Sequence, residues 1–163
     1  MKQEILIPRD TGVYKPNKKI RNKILTFQKY LQSLDTDKHL VFDDKGSETH
    51  CPLEHSFSDG IYVRKITIPA GMFIVGKIHK HDHPNFLLEG EVTVITEDGM
   101  EELKGPLSII SKAGTKRALY AKTKLVWVTV HANPTNTEDL SKLEEEIISP
   151  TYLDYEKFKQ LKQ

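Results

Sequence analysis

Three histidines, His79, His81 and His83, lie at alternate positions in a short segment of a chain that has seven histidines in all. Neutral imidazoles bind transition metals, and an imidazole can also serve as a general base. In an extended segment, alternate residues share one face. A tract of this kind is therefore a compositional hint of metal or ligand binding, or of catalysis by an imidazole. A hairpin with solvated histidines at its rim is the simpler alternative.

The histidines belong to a longer segment, Gly71 to Gly90, that begins with an apolar stretch. In a continuous strand, Phe73, Val75 and Lys77 would share one face with His79. That face is apolar at its start and rich in nitrogen at its end. We therefore expect a strand that enters a core and ends at a polar site.

Hydrophobic periodicity separates the chain into a central β region and terminal helices. Short segments with strand-like composition and tight turns follow one another from residue 39 to 131, which indicates a closed sandwich or barrel. Apolar residues at spacings of three and four predict helices near 17–34 and 137–148, the latter with a capping box of Thr135 and Glu138. The prediction is thus a mainly β fold with helices at both ends.

The same pattern gives the domain organisation. Residues 1–38 are expected to form an extended arm and an amphipathic helix, residues 39–134 the β-barrel, and residues 135–163 a C-terminal helical segment, all within one compact domain. The last helix of that segment is predicted over 151–161, with an extended arm as the alternative. Bare sheet edges invite pairing, so we also expect a homodimer.

Composition excludes several classes of function. The 24 basic and 23 acidic residues leave a net charge of +1, which gives no electrostatic footprint for nucleic acid. No apolar run approaches the roughly 20 residues that span a membrane. The single cysteine, Cys51, cannot form an intramolecular disulfide, and no signal-peptide pattern opens the chain, so a cytoplasmic location is expected. A metal site of Cys51 and His55 is less favoured than a small buried cysteine.

One more position carries a charge where an apolar residue is expected. Arg64 shares a strand face with Tyr62, Ile66 and Ile68 in the predicted strand from Ile61 to Ile68. An arginine in such a row either extends outward to solvent or meets a buried anion, and the sequence leaves both alternatives open.

The stretch from residue 71 to 121 resembles the two sequence motifs of the cupins, in the spacing of the motif positions more than in residue identity. With Gly71 and Gly90 as anchors, Lys77 falls at the first histidine of the first motif, His79 at the second, and His83 at the glutamate. The second motif fits more loosely, with Arg117 at its histidine. The resemblance implies a cupin-type double-stranded β-helix, that is, a jelly-roll barrel.

The resemblance also implies a pocket with a divalent metal, Fe, Zn, Mn or Ni, held by four side chains. Here Lys77 and Arg117 would occupy two of those four places, and a cation cannot ligate a cation. A metal would then be held by His79 and His83, with His81 or a water as the third ligand and His131 or His55 as more distant candidates.

Lys77 and Arg117, together with Arg64, would instead attract a small anion such as a sugar phosphate or nucleotide. Tyr62 and Trp127 are candidate apolar walls of the same ligand site, with a core role as the alternative.

Several further segments are similar to a group of small single-domain cupins encoded largely by phages, which implies the host cytoplasm as location. The segments are Cys51-Pro52-Leu53-Glu54-His55, Gly60-Ile61-Tyr62-Val63-Arg64, Gly76-Lys77-Ile78-His79, Gly114-Thr115-Lys116-Arg117 and Trp127-Val128-Thr129-Val130-His131. This similarity brings no defined reaction and supports the fold more than the function.

Three functions follow as hypotheses. The first is a binding protein that captures a small anionic metabolite. The second is an enzyme, either a metal-dependent oxygenase or lyase or a metal-free isomerase with His79 or His83 as general base. The third is a structural phage module. Because metal binding requires neutral imidazole, we expect occupancy of any site to fall below a pH of about 6.5.

Overall fold

The structure is a computed structural model that describes residues 17–34, the backbone of residues 39–41, and residues 51–161. The predicted arm, residues 1–16, lies outside the described residues. The helices are α1 (Lys18–Gln32), α2 (Leu140–Ile147) and α3 (Tyr152–Gln160). The strands are β1 (His39–Val41), β2 (Leu53–Ser58), β3 (Ile61–Ile68), β4 (Phe73–Val75), β5 (Ile78–His79), β6 (His83–Glu89), β7 (Glu91–Thr96), β8 (Gly99–Lys104), β9 (Leu107–Ser111), β10 (Ala118–Ala121), β11 (Leu125–Ala132) and β12 (Ile148–Ser149).

Two sheets of five strands form the body of the molecule, in the orders β1-β4-β10-β7-β8 and β2-β3-β11-β6-β9. Without β1 and β2, each sheet keeps four strands, and consecutive strands along the chain repeatedly change sheets. This interleaved antiparallel order is that of a jelly roll. The predicted mainly β, cupin-type fold is therefore confirmed, and the only parallel pairing among the described strands joins β1 to β4.

The central strand of the second sheet is β11, whose sequence is largely apolar. It pairs with β3 along its whole length and with β6 on its other side. Its inward side chains Leu125 and Trp127 are buried and contribute to the core between the sheets, together with Ile66, Ile68 and Leu87. Complete burial of a side chain of this size stabilises the fold by about 1.5–3 kcal/mol.

The predicted continuous strand after Gly71 is interrupted, and this corrects the expected faces. Strand β4 ends at Val75 and β5 begins only at Ile78. Ile74, not Phe73 or Val75, lines the interior, while Val75 packs under helix α1. Residues 76 and 77 belong to no strand, so the alternation of inward and outward side chains starts anew at β5. His79 therefore faces inward.

Helix α1 begins where the sequence predicted, with the Asn17 side chain accepting hydrogen bonds from the first free backbone N–H groups. Its buried residues Ile24 and Leu31 pack against Val75 and Ala118 of the first sheet. The helix therefore covers the outer face of that sheet.

Two local predictions need correction. Helix α2 is capped by Asp139 and begins at Leu140, three residues beyond the predicted start, so the capping box of Thr135 and Glu138 does not form. Strand β2 was not predicted, although Leu53, His55 and Phe57 alternate with polar residues in a period of two. That alternation was the signal that could have found it.

None of the helices in the described part of the chain is both long enough and apolar enough to cross a membrane.

Candidate metal and ligand site

A cavity of about 320 Å³ lies inside the barrel, between the two sheets and under helix α2. The ladder between β3 and β11 sets the order of side chains along it. Tyr62 lies opposite His131, and Arg64 lies opposite Thr129. The next inward pair, Ile66 and Trp127, is apolar. The cavity thus passes from a histidine layer through a guanidinium layer to an apolar floor.

Three histidines meet at the polar end of this cavity: His79 of β5, His83 of β6 and His131 of β11. One ring nitrogen from each lies within 4.8 Å of the others. The ring centroids of His79 and His83 are 4.3 Å apart, and those of His83 and His131 are 4.5 Å apart. This spacing is short enough for one metal ion to contact all three imidazoles.

The hydrogen bonding of His83 determines which of its nitrogens is available. Its Nδ1 atom lies 3.1 Å from the backbone carbonyl oxygen of His81, and a carbonyl can only accept, so Nδ1 carries the proton and donates it. The lone pair is therefore on Nε2. That atom is buried and has no hydrogen-bond partner among the described residues. Metal-binding histidines usually donate their other ring N–H to a carbonyl or carboxylate in this way, which fixes the tautomer.

All three imidazoles are held in the neutral form. Burial, foremost, together with the neighbouring His83 and Arg64, lowers the pKa of His131 to about 3. Burial also lowers the pKa of His79 well below its usual value, and it lowers the pKa of His83. Neutral imidazoles offer lone pairs to a metal at neutral pH. A low pKa also makes them weak general bases.

His81 does not join this cluster. Residues 80 and 81 form a bend, and the exposed His81 ring packs edge-on against Phe158 of α3. The predicted trio of His79, His81 and His83 is thus corrected to a trio in which His131 replaces His81. The solvated hairpin is also excluded for His83, which is only 3% exposed.

Arg117 lines the cavity beside the cluster. Its guanidinium donates a hydrogen bond to the Ser111 hydroxyl. Burial lowers its pKa to about 10, and the more distant Glu101 opposes that change. Among the described residues no carboxylate forms an ion pair with it. A desolvated guanidinium in this setting is a candidate binding group for an anion.

Lys77 also lines the cavity, but its charge is compensated. Its ammonium group forms an ion pair with Glu144 of α2 at the cover of the cavity. Helix α2 adds the apolar side chains of Leu140, Leu143 and Ile147 to the lining. Of these two cations, Arg117 is therefore the one left to act on a ligand.

Arg64 lines the cavity, which excludes the outward extension to solvent that the sequence left open. Burial lowers its pKa, while Tyr62 and Glu144 act in the opposite direction. Its guanidinium lies close enough to reduce the pKa of both His79 and His131. A positive group on each side of the cluster favours an anion in the cavity.

The aromatic residues of the predicted ligand site both line the cavity. Trp127 donates its indole N–H to Asn85, at 2.9 Å, and contributes to the core as well. The Tyr62 hydroxyl is hydrogen-bonded to Nδ1 of His55, at 2.7 Å, and His55 lines the cavity too. Cys51 is fully buried with its pKa raised to about 11, which fits the predicted inert core cysteine.

Comparison with known proteins gives fold-level likeness alone. No family model and no curated protein matches the chain. A cupin superfamily protein from Desulfitobacterium hafniense shares 14% identity over 54% of this chain and 82% of its own, with a TM-score of 0.45. By its strand order, this chain has a cupin-type jelly-roll fold.

Two further solved structures are similar at the same level. A cupin 2 domain-containing protein from Halorhodospira halophila shares 12% identity over 64% of this chain and 83% of its own, with a TM-score of 0.45. An ethanolamine utilization protein Q from Salmonella typhimurium shares 18% identity over 52% of this chain and 69% of its own, with a TM-score of 0.43. These likenesses carry nothing about ligand or reaction.

Proposed function

We propose that this protein binds a divalent transition metal through His79, His83 and His131, and a small anionic molecule beside it in the barrel. One observation carries the proposal. The buried, unpartnered Nε2 atom of His83 points to a missing electrophilic partner in a cluster whose other members also offer nitrogen atoms within 4.8 Å. Burying a polar atom without any partner is costly, and a metal removes that cost.

The donor set indicates the class of metal. Three neutral imidazoles suit zinc, iron, nickel or copper rather than magnesium or calcium, which prefer oxygen ligands. Three protein ligands also correspond to a catalytic rather than a purely structural zinc site. When bound, such a metal would supply a Lewis acid with an open coordination position.

The cavity residues supply the anion-binding half of the proposal. Arg117 and Arg64 line the same cavity as the cluster, and no described carboxylate is paired with Arg117. Low dielectric strengthens the attraction between a buried guanidinium and a carboxylate or phosphate. The Tyr62 and His55 pair adds a hydroxyl that can hold or transfer a proton at the cavity wall.

These features favour a metal-dependent enzyme or metal-dependent binding protein over a metal-free isomerase. A general base works best when its pKa is close to the working pH, and burial moves the pKa of His79 and His83 away from that range. The lowered pKa also favours metal ligation, because a proton no longer competes with the metal for the nitrogen.

The test is native mass spectrometry with elemental analysis of protein purified without chelator. We expect one transition-metal ion per chain and a co-purifying small anion. Turnover of that anion on incubation would identify an enzyme, and its unchanged recovery a binding protein. Failure to take up any of zinc, iron, nickel or copper from solution would refute the metal site.

A further inference from the structure

The apolar floor of the cavity is a feature that the proposed function does not yet explain. Below the guanidinium layer the lining is aliphatic, and it comes from both sheets: Leu53, Ile66, Ile68, Ile74 and Leu119. Helix α2 adds aliphatic side chains above. A polar ligand that filled this space would lose hydrogen bonds to water without replacement, at a substantial cost per group.

The neutral polar groups near the floor already have partners. The Asn85 amide donates to the His83 carbonyl oxygen and to the Ser111 hydroxyl, and its oxygen accepts from the Trp127 indole. Both donors of the amide are therefore used. Sugar hydroxyls, which need both donors and acceptors, have little to bind in this layer.

The charged groups differ from these neutral groups in their hydrogen-bonding capacity, because a guanidinium has five N–H donors and no acceptor. Among the described residues the Arg117 side chain donates one hydrogen bond, to Ser111, which leaves donors for an acceptor-only group. A carboxylate matches such a fork with two parallel hydrogen bonds. Lys77 does not compete for it, because Glu144 already compensates its charge.

The size of the cavity indicates a compact ligand. A volume of about 320 Å³ lies at the lower end of the range of small-molecule sites, roughly 300–1,000 Å³. A nucleotide or a sugar phosphate in this space would leave hydroxyls against aliphatic side chains. The earlier expectation of such a ligand therefore has less support than a compact organic acid.

We infer that the ligand is a small carboxylic acid with an apolar side group, whose carboxylate binds Arg117 next to the histidines and whose side group packs on the aliphatic floor. This inference rests on the proposed function, of which it specifies the ligand class. Each buried methylene of such a group strengthens binding by about fourfold, so the apolar part determines selectivity among acids.

The test is calorimetric titration of the zinc-loaded and the metal-free protein with three matched probes. Isocaproate carries both groups, threonate is an acid of similar size with hydroxyls in place of the apolar group, and isocaproamide lacks the charge. We expect isocaproate to bind at least about tenfold more tightly than either of the others.

Two variants examine the floor directly. Leu53→Thr changes a half-buried floor residue on an edge strand, and we expect it to weaken isocaproate several-fold while threonate is unaffected. Ile110→Thr makes a comparable change at an exposed position and should alter neither affinity.

The outcomes separate the two proposals. Threonate binding as tightly as isocaproate, or no isocaproate binding at about millimolar concentration, would overturn this inference even in protein that holds zinc. Isocaproate preference in protein that takes up no metal would support the ligand class and refute the metal site. Equal binding of isocaproamide would overturn the role of the carboxylate.

Discussion

His79 and Ile148 face each other in the two-residue antiparallel ladder between β5 and β12, so a histidine of the cluster pairs with the segment that covers the cavity. The neighbouring Lys80 amide donates to the Ile147 carbonyl oxygen at 2.7 Å. Leu143 and Ile147 of α2 pack against Tyr62 on the inner side. The cover and the cluster are therefore one structural unit, and a change in either should be detectable in the other.

The first prediction concerns this cover. Leu143 is 1% exposed, so Leu143→Ala should leave a cavity and destabilise the cover by about 2–5 kcal/mol. We expect faster hydrogen exchange at the Lys80 amide, and slower exchange at the same amide when zinc is added to the wild type. Leu153→Ala, at a position of α3 that is 65% exposed, is the matched control and should change little. Equal exchange rates in both variants would contradict the coupling.

The second prediction concerns metal retention at low pH. The sequence alone led us to expect loss below a pH of about 6.5. Because burial lowers the pKa of all three histidines, protons compete less for their nitrogens. Zinc occupancy after dialysis over a pH series should therefore persist clearly below 6.5. Half-loss of zinc at or above that value would show that the imidazoles are not held neutral.

The third prediction is the stability of the metal-free protein against pH. Below about 6.5 the unfolded chain protonates these histidines and the folded chain does not, so the free energy of unfolding falls as the pH drops. His131 alone, with a pKa of about 3 in the folded state, should contribute a loss of about 2 kcal/mol between pH 6.5 and 5.

Urea unfolding at the two pH values measures this loss. The variant His131→Phe should show a smaller loss than the wild type, whereas His81→Ala, at an exposed position outside the cluster, should show the same loss. An identical pH dependence in His131→Phe and the wild type would contradict the assignment of this effect to burial of His131.

The histidine cluster shows which parts of the site could be predicted from the sequence. The alternation of residues along β3 predicted that Tyr62 and Arg64 share one face, because a period of two depends only on the local sequence. It wrongly gave His81 the same face as His79, because the bend at residues 80 and 81 is not encoded in that period. Backbone direction at a bend depends on tertiary contacts, here with α3.

His131 was only a more distant candidate for the third ligand, and the reason is different. It is distant in sequence from His79 and His83, and it meets them only through the register of β11 with β3 and β6. A shift of that register by one residue would turn it outward. Its position in line with Trp127 and Thr129 indicated the correct face, but the neighbours on that face follow from sheet order, which one sequence does not give.

The fourth prediction concerns the anion. Arg117→Ala should weaken isocaproate binding by about 2–5 kcal/mol, and Arg117→Lys should recover only part of this loss, because an ammonium group lacks the planar fork. Lys77→Ala should cost less, since Lys77 is paired with Glu144. Lys112→Ala, at an exposed lysine paired with Asp82, is the control. Unchanged affinity in Arg117→Ala would remove Arg117 from the ligand site.

The most direct test is zinc stoichiometry, measured by elemental analysis after dialysis, in wild type, His131→Ala and His81→Ala. All three proteins should first show the same circular dichroism spectrum. We predict one zinc ion per chain in the wild type and in His81→Ala, and a large loss in His131→Ala, because the ligand atoms of His79, His83 and His131 converge within 4.8 Å. Full zinc occupancy in His131→Ala with loss in His81→Ala would contradict the proposed metal site.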